Sequence, residues 1–125
     1  MLPASGDEIT VYIHSDPLLL AIATEIEVTG DANITAAMGE SDCNSFGWDG
    51  GFCFDPYIDS NDWFVDSVFW DWGCAATGTV GYFKFRYNSG QVTVFIDEYS
   101  NAYDANGQLV LLSNQPLVFG DPNQN

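Results

Sequence analysis

The chain predicts an all-β fold, an antiparallel β-sandwich of seven to nine short strands, on three observations. Apolar residues recur with a period of two over most of its length. Turn-forming Gly, Asn and Asp clusters punctuate the runs at short intervals. No segment holds a helical period beyond a turn around residues 36–40. At 125 residues the chain fits one domain, 1–125, with a proper core. Its 46% hydrophobic and 15% aromatic content exclude disorder despite the charge.

The strands follow in order. Ile9, Val11 and Ile13 share one face of the first, after a polar tail at 1–7. In the second, Leu20, Ile22, Thr24, Ile26 and Val28 face one side, and Ala21, Ala23, Glu25 and Glu27 the other. Thr29-Gly30-Asp31 is a turn into a short strand at 32–35. Residues 63–70 alternate less decidedly. From 79 to 87 the pattern is clean: Gly81, Phe83, Phe85 and Tyr87 share one face, and Val80, Tyr82, Lys84 and Arg86 the other. Asn88-Ser89-Gly90 makes a tight hairpin turn into a strand where Val92, Val94 and Ile96 line up. A turn at 104–107 precedes strands near 109–112 and 117–119, and 120–125 reads as a polar tail.

Between these plain strands, residues 42–74 read as an elaborated, aromatic and acidic loop region. The segment holds all three cysteines, all four tryptophans and seven aspartates, without one Lys or Arg. Loops on rigid scaffolds are where binding resides. Cys43, Cys53 and Cys74 fit no zinc or redox spacing. The arithmetic leaves Cys43–Cys53 or Cys53–Cys74 as a disulfide with one odd thiol in an exported protein, or three buried thiols otherwise. The Cys43–Cys53 pairing is expected first, because a turn-rich stretch lies between them.

Hard cations take six to eight oxygens from carboxylates, amides and carbonyls. Asp55, Asp59, Asn61 and Asp62 have the spacing to collect around one Ca2+, although the glycine and glutamate of an EF-hand loop are missing. The same residues also suit an ion-free Asx-rich turn. Asp104 and Asn106 admit the same two readings. The aromatics admit three: a mini-core under the loop, a sugar-stacking platform, or a protein interface. Trp48 and Trp63, beside Asp49 and Asp62, are the ones expected at the surface. Trp48, Asp49, Tyr57, Trp63 and Trp72 are accordingly the ligand-binding candidates.

Eighteen acids against two bases, Lys84 and Arg86, give a formal charge of −16. Such a field repels nucleic acid and anionic membranes, which need Lys and Arg against their phosphates. The longest apolar run, residues 18–23, is far short of the ~20 residues that span a bilayer. The opening Met1-Leu-Pro-Ala-Ser-Gly lacks the basic start and apolar stretch of a signal peptide, as expected of a mature or excised domain. Catalysis finds no constellation. The single histidine, His14, precedes Ser15-Asp16-Pro17, which is a turn signature, and nothing separates a catalytic carboxylate pair from a solvated acidic face.

The run from Glu8 to Gly30 resembles the opening two strands of cohesin-like domains, and Gly78 to Ile96 resembles their penultimate hairpin. The resemblance spans roughly Glu8 to Phe119. It is to β-sandwich domains of bacterial secreted proteins that precede dockerin repeats or sorting anchors, jelly rolls like those of carbohydrate-binding modules. The insertion from Asp42 to Trp72 departs from plain cohesins. The resemblance implies a β-sandwich in an extracellular or cell-surface setting. The expected function is non-catalytic attachment to a protein partner or polysaccharide through residues 42–74, with calcium bracing the loop. A second expectation is self-association into a fibre or surface layer, with 1–7 adding to a neighbour's sheet edge.

Overall fold

The computed structural model describes residues 2–46, 48, 52–59, 64–70, 76–97, 100–110 and 115–120, with backbone only at 40, 44, 52 and 64–70. Its strands are β1 (Glu8–Ala37), β2 (Phe52–Cys53), β3 (Tyr57–Asp59), β4 (Phe64–Trp70), β5 (Ala76–Ile96), β6 (Asn101–Asp104), β7 (Leu109–Val110) and β8 (Leu117–Phe119), with a 3-10 helix at Glu40–Phe46. Every ladder is antiparallel.

β1 and β5 are long because each bends and serves both layers of a sandwich. The first layer is three strands wide. Its centre is the first arm of β5, which pairs with residues 8–15 of β1 on one side and 31–37 on the other. Lateral rows therefore read Ile9–Phe85–Ile34 and Val11–Phe83–Ala37 on the inner face. The second layer is built on residues 19–29 of β1. These pair with β4 along one edge, and with β6 and the second arm of β5 along the other. β2 and β3 share the far edge of β4, β7 extends β6, and β8 pairs with Val92–Val94.

The main core lies between the layers. Ile26, Val28, Val92 and Val94 from one side meet Ile34, Phe83, Phe85 and Tyr87 from the other, with Phe119 against Phe85. The period-two pattern of the second arm of β1 holds for Ile22, Thr24, Ile26 and Val28, all buried. It fails at its start: Leu19 and Ala21 are buried and Leu20 only half so, because the β1–β6 register shifts between Leu19 and Ala21.

Gly30 makes the corner between layers at φ 113°, where a Cβ would overlap the Gln91 carbonyl oxygen. That backbone conformation and that close approach both require glycine. Gly90 supplies the positive φ of the β5 hairpin turn. The amino-terminal tail folds back on its own layer: Gly6 N donates to Tyr87 O, and Tyr87 N to Asp7 O.

Residues 42–74 differ from the loop expected. They contain the end of the 3-10 helix and strands β2, β3 and β4, and β4 pairs residue for residue with Ala21–Glu27 in the second layer. Much of the segment is thus part of the sheet.

Candidate functional site

The central segment builds its own small core at one end of the sandwich. Gly39 N donates to Asp42 Oδ2 (3.2 Å) and Asp42 N to Gly39 O (3.0 Å), which starts the 3-10 helix with a reciprocal cap. A disulfide joins Cys43 to Cys53, with Cα atoms 6.1 Å apart, and ties that helix to β2. Both cysteines are buried with Leu19, Ile22, Met38, Ala76, Val80 and Ala102.

Trp48 completes this core. It is 0% exposed, and its indole Nε1 donates to Val80 O at 2.9 Å. The expectation that Trp48 sits at the surface is therefore corrected. Its acidic neighbour in sequence does not decide the matter, because the indole finds its acceptor 32 residues away on β5 and leaves no polar atom to solvate.

Tyr57 does stand at the surface, 63% exposed on the edge strand β3, with Phe54 at 58% nearby in the chain. Asp55 is exposed and Asp59 half-buried. Gly39 packs on the Asp55 carboxylate, and a Cβ there would press on Oδ1. Asp49, Asn61, Asp62, Trp63 and Trp72 lie outside the described residues, as does Cys74. Among the described residues no three metal-ligating side chains converge. Asp104 forms a plain hairpin turn: its Oδ1 accepts from the backbone amides of Asn106 and Gln108, each at 2.9 Å. His14 and Asp16 face each other at the surface (3.1 Å), while the Ser15 hydroxyl donates to Pro17 O. These residues lie within β1 where its register against β5 shifts, so the turn expected there is an irregularity of the strand, and the contacts do not join a nucleophile to a base.

The outward face of the first layer carries a second group of polar and aromatic side chains. Its rows run Glu8–Arg86–Asn33 and Thr10–Lys84–Ala36, with Tyr12 opposite Tyr82. Tyr12 is 63% exposed. Phe46, from the 3-10 helix, packs on Tyr82 with ring centroids 5.5 Å apart, and the Tyr82 hydroxyl donates to Asp42 Oδ2 at 3.0 Å. Burial raises the Tyr82 pKa above its usual value, and the hydrogen bond to Asp42 and the Asp42 charge push the same way. The Lys84 ammonium lies 5.8 Å from the Tyr82 ring centroid. The signal that could have marked this face is simple: the only two cations of the chain are two residues apart on one strand.

No protein-family model matches the chain, and no curated protein matches it in sequence. Solved structures do match in shape. A non-cellulosomal cohesin from Archaeoglobus fulgidus superposes with a TM-score of 0.65 at 16% identity, over 94% of this chain and 82% of that one. A type II cohesin domain from the cellulosome of Acetivibrio cellulolyticus gives 0.68 at 12% identity, over 94% and 88%. The type I cohesin OlpA of Clostridium thermocellum, in a cohesin–dockerin complex, gives 0.67 at 7% identity, over 95% and 92%. Identities this low speak for architecture, and nearly the whole chain takes part in each superposition. The fold of this chain is that of the cohesin domains, a cohesin-like β-sandwich.

Proposed function

We propose that this chain is a non-catalytic attachment module that acts outside the cell and holds a protein partner of the dockerin type. The observation that carries this reading is the match over nearly the full length to cohesins, some of them in complex with dockerins. The disulfide Cys43–Cys53 agrees with an oxidising setting. The rim of the central segment, where Phe54 and Tyr57 are exposed beside Asp55 and Asp59, supplies the aromatic anchor that protein interfaces use.

Calorimetric titration with a panel of type I and type II dockerin modules, and with soluble oligosaccharides, tests this. A one-to-one dockerin complex weakened by Tyr57→Ala is the expected result. Binding of oligosaccharides with no dockerin response would replace the protein partner with a glycan.

In this reading calcium binds at residues 55–62 and braces the central segment, with Asp55, Asp59, Asn61 and Asp62 as its ligands. The carboxylate and amide donor set suits a hard cation. Asp59→Ala should then lower the melting temperature in millimolar calcium and leave it unchanged after chelation. An equal loss in both buffers would remove the ion.

A further inference from the structure

We propose that the outward face of the first layer docks an acidic, extended peptide segment of a protein partner, with Lys84 and Arg86 as its carboxylate-binding residues. The inference rests on charge and hydrogen bonding on this face alone, and stands apart from the Phe54–Tyr57 rim on the other layer.

A chain with eighteen acids has ample means to neutralise two cations. Among the described residues neither Lys84 nor Arg86 takes part in an ion pair, and the one close basic–acidic contact is His14 with Asp16, charged only when the imidazole is protonated. Carboxylates on the flanking strands are engaged by neutral donors. Glu8 lies directly across from Arg86, yet its Oε2 accepts from the Thr35 hydroxyl at 3.0 Å. Asp31 accepts from Asn88 Nδ2 (3.2 Å) and from the Ser89 hydroxyl (2.8 Å). Asn88 Nδ2 also donates to Asn33 Oδ1 (3.1 Å). These bonds fix the acids along the border of the face and leave Arg86 exposed and Lys84 half-exposed between them.

Geometry and charge narrow the occupant. Alternate residues on a strand repeat every ~7 Å, so carboxylates at alternate positions of an extended peptide match the two cations one to one. Arg86 adds a fork that grips a carboxylate through two hydrogen bonds. Nucleic acid offers the wrong balance, since a body of −16 repels a phosphate chain beyond these two contacts. A second copy of this chain brings a whole body of −16, whereas a short acidic segment brings little beyond the carboxylates that meet the two cations. On a surface otherwise hostile to carboxylates, the pair also sets register, because an acidic segment is repelled everywhere else. Thr10 and Tyr12 border the pair with hydroxyls for the peptide backbone.

The test is amide chemical-shift mapping at low salt. The probe is an acetylated octapeptide alternating glutamate and threonine, and its control has glutamine in place of glutamate. The expected result is a glutamate-dependent shift at Thr10, Tyr12, Asn33, Thr35, Lys84 and Arg86, lost on adding salt. The double variant K84Q/R86Q should bind at least tenfold more weakly while melting at the same temperature as the parent. Equal shifts with the glutamine peptide, shifts confined to another face, or no shifts would overturn the proposal. A concentration-dependent dimer abolished in K84Q/R86Q would assign the face to a second copy, and overturn it too. A dockerin that binds the double variant as tightly as the parent leaves the attachment function standing on the other layer.

Discussion

Trp48 shows what a single residue decides here. With no exposed surface and its N–H bonded to Val80 O, it plugs the end of the sandwich that the disulfide closes. Trp48→Ala should cost about 3–5 kcal/mol in denaturant unfolding, by lost burial and the cavity left behind. Trp48→Phe should cost less, because it keeps most of the ring and forfeits one hydrogen bond worth ~1 kcal/mol. A change within error for Trp48→Ala would mean that the end core does not support the fold.

Tyr82 offers a pH signature at the same scale. Its pKa lies above the reference value of 10.0, first through burial and then through Asp42. A raised folded-state pKa contributes stability that is complete below pH 10 and disappears as pH rises through the folded value. The stability gap between the parent and Tyr82→Phe should therefore be constant up to about pH 10 and shrink above it. Melting curves from pH 8 to 11 measure that gap, and one that stayed flat throughout would contradict the assignment.

At the scale of elements, the pieces that sequence could reveal were those whose burial is set by their own alternation. Phe83, Phe85 and Tyr87 on β5, and Ile22 to Val28 on β1, show one wet and one dry face, and the structure places them so. The hairpin at Gly90 and the corner at Gly30 were legible because a positive φ leaves glycine as its mark. β4 was only faintly legible, as a less decided alternation over 63–70, because it pairs along both edges and its residues mix aspartate with aromatics. Trp48 misled because its partner is remote in sequence.

The Lys84–Arg86 face was written in the sequence as a spacing. What made it a feature, the engagement of Glu8 and Asp31 by neutral donors, exists only once three strands lie side by side. The disulfide belongs to this scale as well. It closes a loop with a sequence separation of 10, so replacing both Cys43 and Cys53 by Ser should cost roughly 2–3 kcal/mol. Chemical denaturation with and without reductant checks this, and parent and variant should then unfold alike in reductant.

The whole molecule carries −16 on 125 residues. Self-repulsion of this size opposes the compact state, and screening relieves it. The Debye length falls from about 10 Å at 0.1 M salt to about 3 Å at 1 M, so the melting temperature should rise over that range. A fall would show that favourable ion contacts outweigh repulsion. Among the described residues no helix is long and apolar enough to cross a membrane. The same charge bears on assembly. Like-charged copies repel, while the amino-terminal residues Gly6 and Asp7 bond to Tyr87 of their own chain.

Light scattering on a sizing column, with the chain alone and then mixed with a dockerin module that gives heat on titration, tests the attachment reading most directly. The expected result is a monomer near 13.7 kDa that shifts to a one-to-one complex on mixing. Large species formed by the chain alone, with no response to any dockerin, would contradict it and make this a self-assembling subunit.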